Sequence, residues 1–534
     1  MIRDALTDAL RQSLAAIGVT APDAIGLEQP ARPEHGDWSS NVALASARSA
    51  GRNPRELAQE LADRLNADPP AHVEKVEVAG PGFVNFRLRP SWLHDVVREV
   101  VAAGDEDFGR STAGAGTRVN VEFVSANPTG PLHAGHARGA VFGDALARIL
   151  ARVGHEVSRE FYINDRGLQM QHFGESIAAR AAGRKPPEEG YQGAYVADWA
   201  EGLTPGDDPL EYGYARAIAD QREVLGQLGV TFDTWFSERS MVASGAIDQT
   251  LADLRQHGAA YDADGAVWLR STDHGDDKDR VLVRSNGEFT YLLPDIAYHR
   301  DKFARGFDRL IDVWGADHHG YVARMKAAVA ALGHSPDEVE PVITQLVRLV
   351  REGQVVKLSK RTGDIIELRE LIDEVGPDAV RLTYLLQSID SPQTVDLDVI
   401  VQQSMDNPVF YVQMAHARLC SIERVAAERG VTRRPLADVD LVPLTHEREL
   451  DVMRQLHSLA DVVELAARER APHKVTSWVR ELATAVHGFY HDCPILRDDV
   501  DDDLRQARWW LADAAAIGLR SGLAMLGVSA PISM

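Results

Sequence analysis

Cysteine is nearly absent: the 534 residues contain two, Cys420 and Cys493. That excludes a disulfide framework and a cysteine-built zinc site, and it fits a reducing compartment, so a cytoplasmic location is expected. Long apolar runs are also missing. No stretch reaches the roughly 18 apolar residues of a membrane span. The acids inside MIRDALTDALRQSL make the N-terminus an amphipathic helix rather than a secretion signal. An excess of positive charge is missing too. The formal net charge of -23 excludes a protein that coats nucleic acid without selectivity, though not a local basic groove. What remains is 45% hydrophobic and 26% charged, an ordinary globular composition with room for about two to four domains.

Three regions differ in pattern. Residues 1–110 read as a small α+β unit. Leu6, Leu10 and Leu14 recur on one helical face, and Asn53-Pro54 opens a second helix with Leu57, Leu61 and Leu65 as its stripe. HVEKVEVAGPGFVNFRLR alternates as a hairpin broken at Gly80-Pro81-Gly82, and GDEDFGRSTAGAG reads as a linker. Over 111–402 strands and helices alternate, as in a mostly parallel sheet, with a loop-rich insertion near 185–213. Residues 403–534 are almost wholly helical. Leu450, Met453, Leu456, Leu459 and Val463 share one face, and Val475, Val479, Leu482, Val486 and Phe489 another, which predicts a bundle.

The chemistry concentrates at SANPTGPLHAGHARGA. Val119, Val121 and Phe123 mark a strand before it, and Val141, Phe142, Ala145, Leu146, Ile149 and Leu150 a helix after it. His133 and His136 therefore fall at the carboxyl edge of a parallel strand and at a helix N-terminus, where unpaired N–H groups and the helix dipole attract anions. Gly135 lets a ligand approach the backbone. Two polar turn residues are the plain alternative, and a metal site lacks further ligands nearby. A second feature, GQVVKLSKRTGD, sets Lys357, Lys360 and Arg361 on a Thr-Gly turn. It is either a solvated loop or a cationic clamp for the charge that develops on a triphosphate.

Together the two features resemble the paired His-x-Gly-His and Lys-Met-Ser-Lys-Ser signatures of class I aminoacyl-tRNA synthetases. YINDRG, FDTWFSERS, GEFTYLLPDIAYHRDKF, VWGADHHGYVARMKAAV and DNPVFYVQMAHARLCSI extend the resemblance to bacterial arginyl-tRNA synthetases over the whole chain. The resemblance implies an α/β fold: a Rossmann-type class I catalytic domain over 111–402, an N-terminal tRNA-contacting α+β domain over 1–110, and an all-α anticodon-binding bundle over 403–534.

It also implies roles. His133, Gly135, His136, Gly315, Asp317, His318, Lys357, Ser359 and Lys360 would contact ATP, with both histidines and both lysines catalytic. Glu122, Ser125, Asn127, Tyr291 and Asp295 would line the arginine pocket, where a planar five-donor guanidinium demands a carboxylate. Phe83 and Asn85 would stack on and read an unpaired base of the tRNA. ATP with Mg2+, L-arginine and tRNA(Arg) are the implied ligands, with no tightly bound metal, no membrane partner and a monomeric state expected. Departures are Leu358 in place of Met, Arg361 in place of Ser, and Arg166 and Leu168 where many relatives carry a small residue and Asn. On the motifs alone, a cofactor adenylyltransferase and a non-catalytic tRNA-binding relative compete with this reading.

Overall fold

The computed structural model describes residues 2–30, 32–356 and 366–534. They form two compact units, one of 1–108, 418–458 and 484–518, the other of 109–417, 459–483 and 519–534.

In the first unit, helix Ile2–Ala16 buries Leu6, Leu10 and Leu14. Helix Pro54–Ala67 starts where Pro suits the first turn, and the Asn53 side chain accepts from the N–H groups of Arg55 and Glu56. Strands β1 (Leu27–Glu28), β2 (Trp38–Ser40), β3 (Val73–Ala79) and β4 (Phe83–Leu88) form an antiparallel sheet in the order β1-β2-β4-β3. The hairpin at Gly80–Gly82 pairs Ala79 with Phe83. Helix Ser91–Asp107 extends into the stretch read as a linker, because Gly104 breaks the helix with φ 63 without ending it. In the segments from the C-terminal region, Leu450, Met453, Leu456, Val486 and Phe489 are buried as their spacing requires.

The second unit is built on β5 (Arg118–Glu122), β6 (Glu156–Ile163) and β7 (Thr234–Ser237). Next come a small antiparallel sheet of β8 (Ala260–Ala263), β9 (Ala266–Leu269) and β10 (Arg280–Val283), and then β11 (Arg309–Gly315) and β12 (Val339–Thr344). The five main strands run parallel in the order β12-β11-β5-β6-β7. The chain leaves β5 towards β6 and β7, then returns to β11 on the other side. Connections diverge at the carboxyl ends of β5 and β11, which is where an open α/β sheet forms its ligand crevice.

Helix Ala134–Arg152 lies against β5 at close range. A Cβ on Gly143 would stand 2.2 Å from the ring of the buried Phe123. The insertion near 185–213 is more ordered than its Gly and Pro content indicated. Helix Ala194–Ala200 forms, and Asp208-Pro209 starts helix Pro209–Gln227 by side-chain capping. Met170, Phe173, Ile177, Val196, Trp199 and Ala217 make its core. Among the described residues no helix is long and apolar enough to cross a membrane.

Gly143→Ala is expected to lower stability by about 1–3 kcal/mol, because Phe123 has nowhere to retreat in a packed interior. Urea unfolding measures it, and an unmoved midpoint contradicts the close approach.

Candidate functional site: a histidine turn beside an acidic slot

His133 caps helix Ala134–Arg152, and its Nδ1 accepts the Gly135 N–H at 3.1 Å. His136 Nδ1 accepts the His133 N–H, also at 3.1 Å. A neutral ring at either position therefore carries its proton on Nε2. The rings lie 3.8 Å apart, centroid to centroid. Gly135 permits this fold-back, since a Cβ there would meet the His133 ring at 2.8 Å.

The turn borders a cavity of about 390 Å3, lined by His133, Gly135, Gly315, Asp317, Thr344 and Val347 among others. These residues follow or end β5, β11 and β12, so the cavity occupies the expected crevice. Its floor includes Arg138, a buried guanidinium that donates to the carbonyls of Gln345, Ser388 and Ser391. His318 Nε2 lies 3.8 Å from the exposed Asp317 carboxylate. Lys357, Ser359 and Lys360 lie outside the described residues. The chain re-enters at Ile366, whose carbonyl accepts from Ala134 N, and Leu368 N donates to Leu132 O. The segment that follows the lysine motif is thus paired with the histidine turn.

The acidic half of the site surrounds helix Leu292–Ala304. Asp295 is partly buried and accepts the Tyr321 hydroxyl at 2.6 Å. Burial pushes its pKa up to about 6, against the lowering by Tyr321 and by the charges of His299 and His318. Among the described residues it forms no ion pair. Its acidic neighbours do: Glu122 pairs with Lys302 at 2.6 Å, Glu238 with Arg166 at 3.7 Å, and Asp165 with Arg239 at 3.2 Å. Burial also raises the pKa of Glu238, and Arg166 opposes that shift.

The remaining residues singled out from sequence are placed as follows. Ser125 donates to Glu122 at 2.9 Å, and Asn127 donates to Gln169 at 2.6 Å. Tyr291 precedes the helix and is 88% exposed; its backbone carbonyl accepts the Asp295 N–H at 3.4 Å. Leu168 is exposed. In the other unit, Phe83 and Asn85 lie on β4. Asn85 is buried, and its side-chain oxygen accepts the Ser39 hydroxyl at 2.7 Å.

Three family models match the chain. They are described as "Arginyl tRNA synthetase N terminal domain" over residues 3–88, "tRNA synthetases class I (R), catalytic domain" over 99–184 and 217–419, and "DALR anticodon binding domain" over 412–534. The arginine–tRNA ligase of Frankia alni is 46% identical, with 100% of this chain and 99% of that one covered. The arginine–tRNA ligase of Oleidesulfovibrio alaskensis is 45% identical, with 99% of each covered. The chain belongs to the arginyl-tRNA synthetase family. Its fold is that of the arginyl-tRNA synthetase from Thermus thermophilus, with a TM-score of 0.77 at 24% identity and 100% of both chains covered.

Sequence reading missed several residues around the site of this arginyl-tRNA synthetase family member. Tyr321 reaches Asp295 from another element, and no local pattern announces that. Tyr195 donates to Thr129 O at 2.8 Å, and the buried Gln221 donates to Asn127 O and Gly130 O at 3.1 Å each. The insertion thus holds the turn that leads into the histidines. Its only sequence signal was amphipathic spacing after Pro209.

Tyr321→Phe removes the donor that restrains Asp295, so the carboxyl is expected to titrate above about 6. Carbon-13 NMR of aspartate-labelled protein, with Asp295→Asn to assign the signal, measures this. An unmoved midpoint contradicts the contact.

Proposed function

We propose that the cavity at the histidine turn takes ATP and that Asp295 takes the guanidinium of arginine. Both serve the reaction of the family, the ATP-dependent ligation of L-arginine to tRNA(Arg). One observation carries this reading: a desolvated carboxylate with no ion pair among the described residues sits beside a cavity at the switch point of a parallel sheet. A monocation with several donors completes that slot, and a nucleotide suits the cavity.

In the first step an oxygen of the arginine carboxylate attacks the α-phosphorus. The bond to the departing pyrophosphate breaks, and arginyl-adenylate results. The Nε2–H groups of His133 and His136 donate to phosphate oxygens, and Gly135 lets the nucleotide close on the helix N-terminus. Lys357, Ser359 and Lys360 are assigned to the charge that develops on the leaving pyrophosphate. Lys360 is six residue steps from Ile366, a reach of at most about 22 Å from the paired turn. Gly315 and Asp317 are assigned to the ribose and His318 to the adenylate. Mg2+, carried by ATP, supplies counter-charge. In the second step a hydroxyl of the terminal adenosine of tRNA attacks the activated carbonyl, an ester forms and AMP leaves. The protein's part is positioning and charge stabilisation.

Ser125, Asn127, Tyr291 and Glu122 are assigned to the arginine site, the last with its charge already met by Lys302. Phe83 and Asn85 are assigned to an unpaired tRNA base: the ring stacks, and Ser39 holds the amide oxygen so that the NH2 group is the side offered. Residues 1–110, 111–402 and 403–534 are proposed as the tRNA-contacting, catalytic and anticodon-binding domains of a cytoplasmic monomer.

Asp295→Asn is expected to raise the arginine KM by about two orders of magnitude in arginine-dependent ATP–pyrophosphate exchange with tRNA(Arg) present, with the ATP KM little changed. An unmoved arginine KM contradicts the assignment. In the parent enzyme the carboxyl is charged only above its pKa of about 6. The kcat/KM for arginine is therefore expected to fall as pH drops through 6 and to level off above it. A profile flat from pH 5 to 8 contradicts Asp295 as the acceptor. Lys360→Ala is expected to cut kcat by about 10² at saturating ATP, as loss of one transition-state donor does, and an unchanged kcat removes that lysine from the mechanism.

A further inference from the structure

The chain takes two unfavourable steps where β5 ends. Val124 has φ 69 and Ser125 φ 43, both in the left-handed region, which a β-branched residue rarely enters. Such backbone persists only where its surroundings over-determine it, and it concentrates at functional sites.

The restraint can be traced side chain by side chain. Ser125 Oγ accepts the Tyr162 N–H at 3.2 Å and donates to Glu122 Oε1 at 2.9 Å. Glu122 Oε2 accepts from Lys302 Nζ at 2.6 Å. That ammonium also donates to Asp312 Oδ1 at 2.8 Å and lies 4.3 Å from the centre of the Tyr298 ring. The Lys302 side chain is 0% exposed. Burial opposes its charge, but Asp312 and Glu122 override that and hold it above the ordinary lysine value. Lys302 is therefore an internal cation locked between two strands of the central sheet.

We infer that Lys302 is a positioning residue: it fixes Glu122, and through Glu122 the strained Val124–Ser125 turn, so that the incoming cation goes to Asp295, which forms no ion pair among the described residues. The inference rests on the arginine reading above and deepens it. Without Lys302, Glu122 competes with Asp295 for the single positive charge of the substrate, and the Ser125 hydroxyl loses its fixed acceptor. The cost falls on arginine rather than on ATP, because the nucleotide cavity makes no use of this chain of contacts.

The test uses the full-length enzyme in ATP–pyrophosphate exchange with tRNA(Arg) present. Lys302→Met is expected to raise the arginine KM at least tenfold while the ATP KM stays within twofold. Lys302→Gln, which keeps donors for both carboxylates but no charge, covers the case in which the methionine variant does not fold, and the same split is expected of it. A folded variant whose arginine KM stays within twofold of the parent overturns the inference. So does a loss confined to melting temperature with both KM values unmoved, which marks a purely structural lysine. A parent enzyme with no arginine-dependent exchange instead overturns the arginine reading itself, and the inference with it.

Discussion

Charge balance in a poorly solvated slot governs this site. A carboxylate removed from water needs a counter-charge or a proton. Glu122, Glu238 and Asp165 each have a resident cation, in Lys302, Arg166 and Arg239. Asp295 forms no ion pair among the described residues and accepts the Tyr321 hydroxyl, and burial pushes its carboxyl towards protonation. One vacancy for one positive charge results. A guanidinium stays charged at every physiological pH and carries five donors. It can satisfy the carboxylate and its remaining lone pairs together, whereas an ammonium offers a single point of charge.

The sheet makes this slot useful by placing a phosphate-seeking turn beside it. β5 and β11 are hydrogen-bonded neighbours, so the histidine turn after one and the Gly315–His318 segment after the other share an edge. His318 acts electrostatically on Asp295, and its neighbour Asp317 lines the cavity at the histidine turn. The proposed ATP and arginine sites are therefore contiguous. The pairing of Leu132–Ala134 with Ile366–Leu368 anchors the end of the lysine segment to the same turn. Tyr195 of the insertion and Gln221 of the helix that follows it also hydrogen-bond to that turn.

Features set by local chemistry were legible in the sequence. The Asn53-Pro54 helix start, the Gly80–Gly82 hairpin, the buried stripes at Leu450–Val463 and Val475–Phe489, and the strand–turn–helix around His133 all follow from neighbours a few residues apart. Features that need distant partners were not legible. Tyr321 lies 26 residues beyond Asp295, and the Lys302–Glu122 pair joins residues 180 apart. On its own helix Lys302 looks like an ordinary cation in the last turn. The insertion was read as loop because Gly and Pro punctuate it densely, although they separate helices rather than replace them. The histidine cap was hidden for another reason: imidazole is not among the usual capping groups, and only the fold-back over Gly135 allows it.

The most direct measurement is a crystal structure of the enzyme with a non-hydrolysable arginyl-adenylate analogue. The expected result places guanidinium nitrogens about 3 Å from the Asp295 carboxylate, with Lys302 still bound to Glu122 and the adenylate against His133, Gly135 and Gly315. A guanidinium seated on Glu122 with Lys302 displaced, or an analogue bound away from Asp295, would contradict the account at its root.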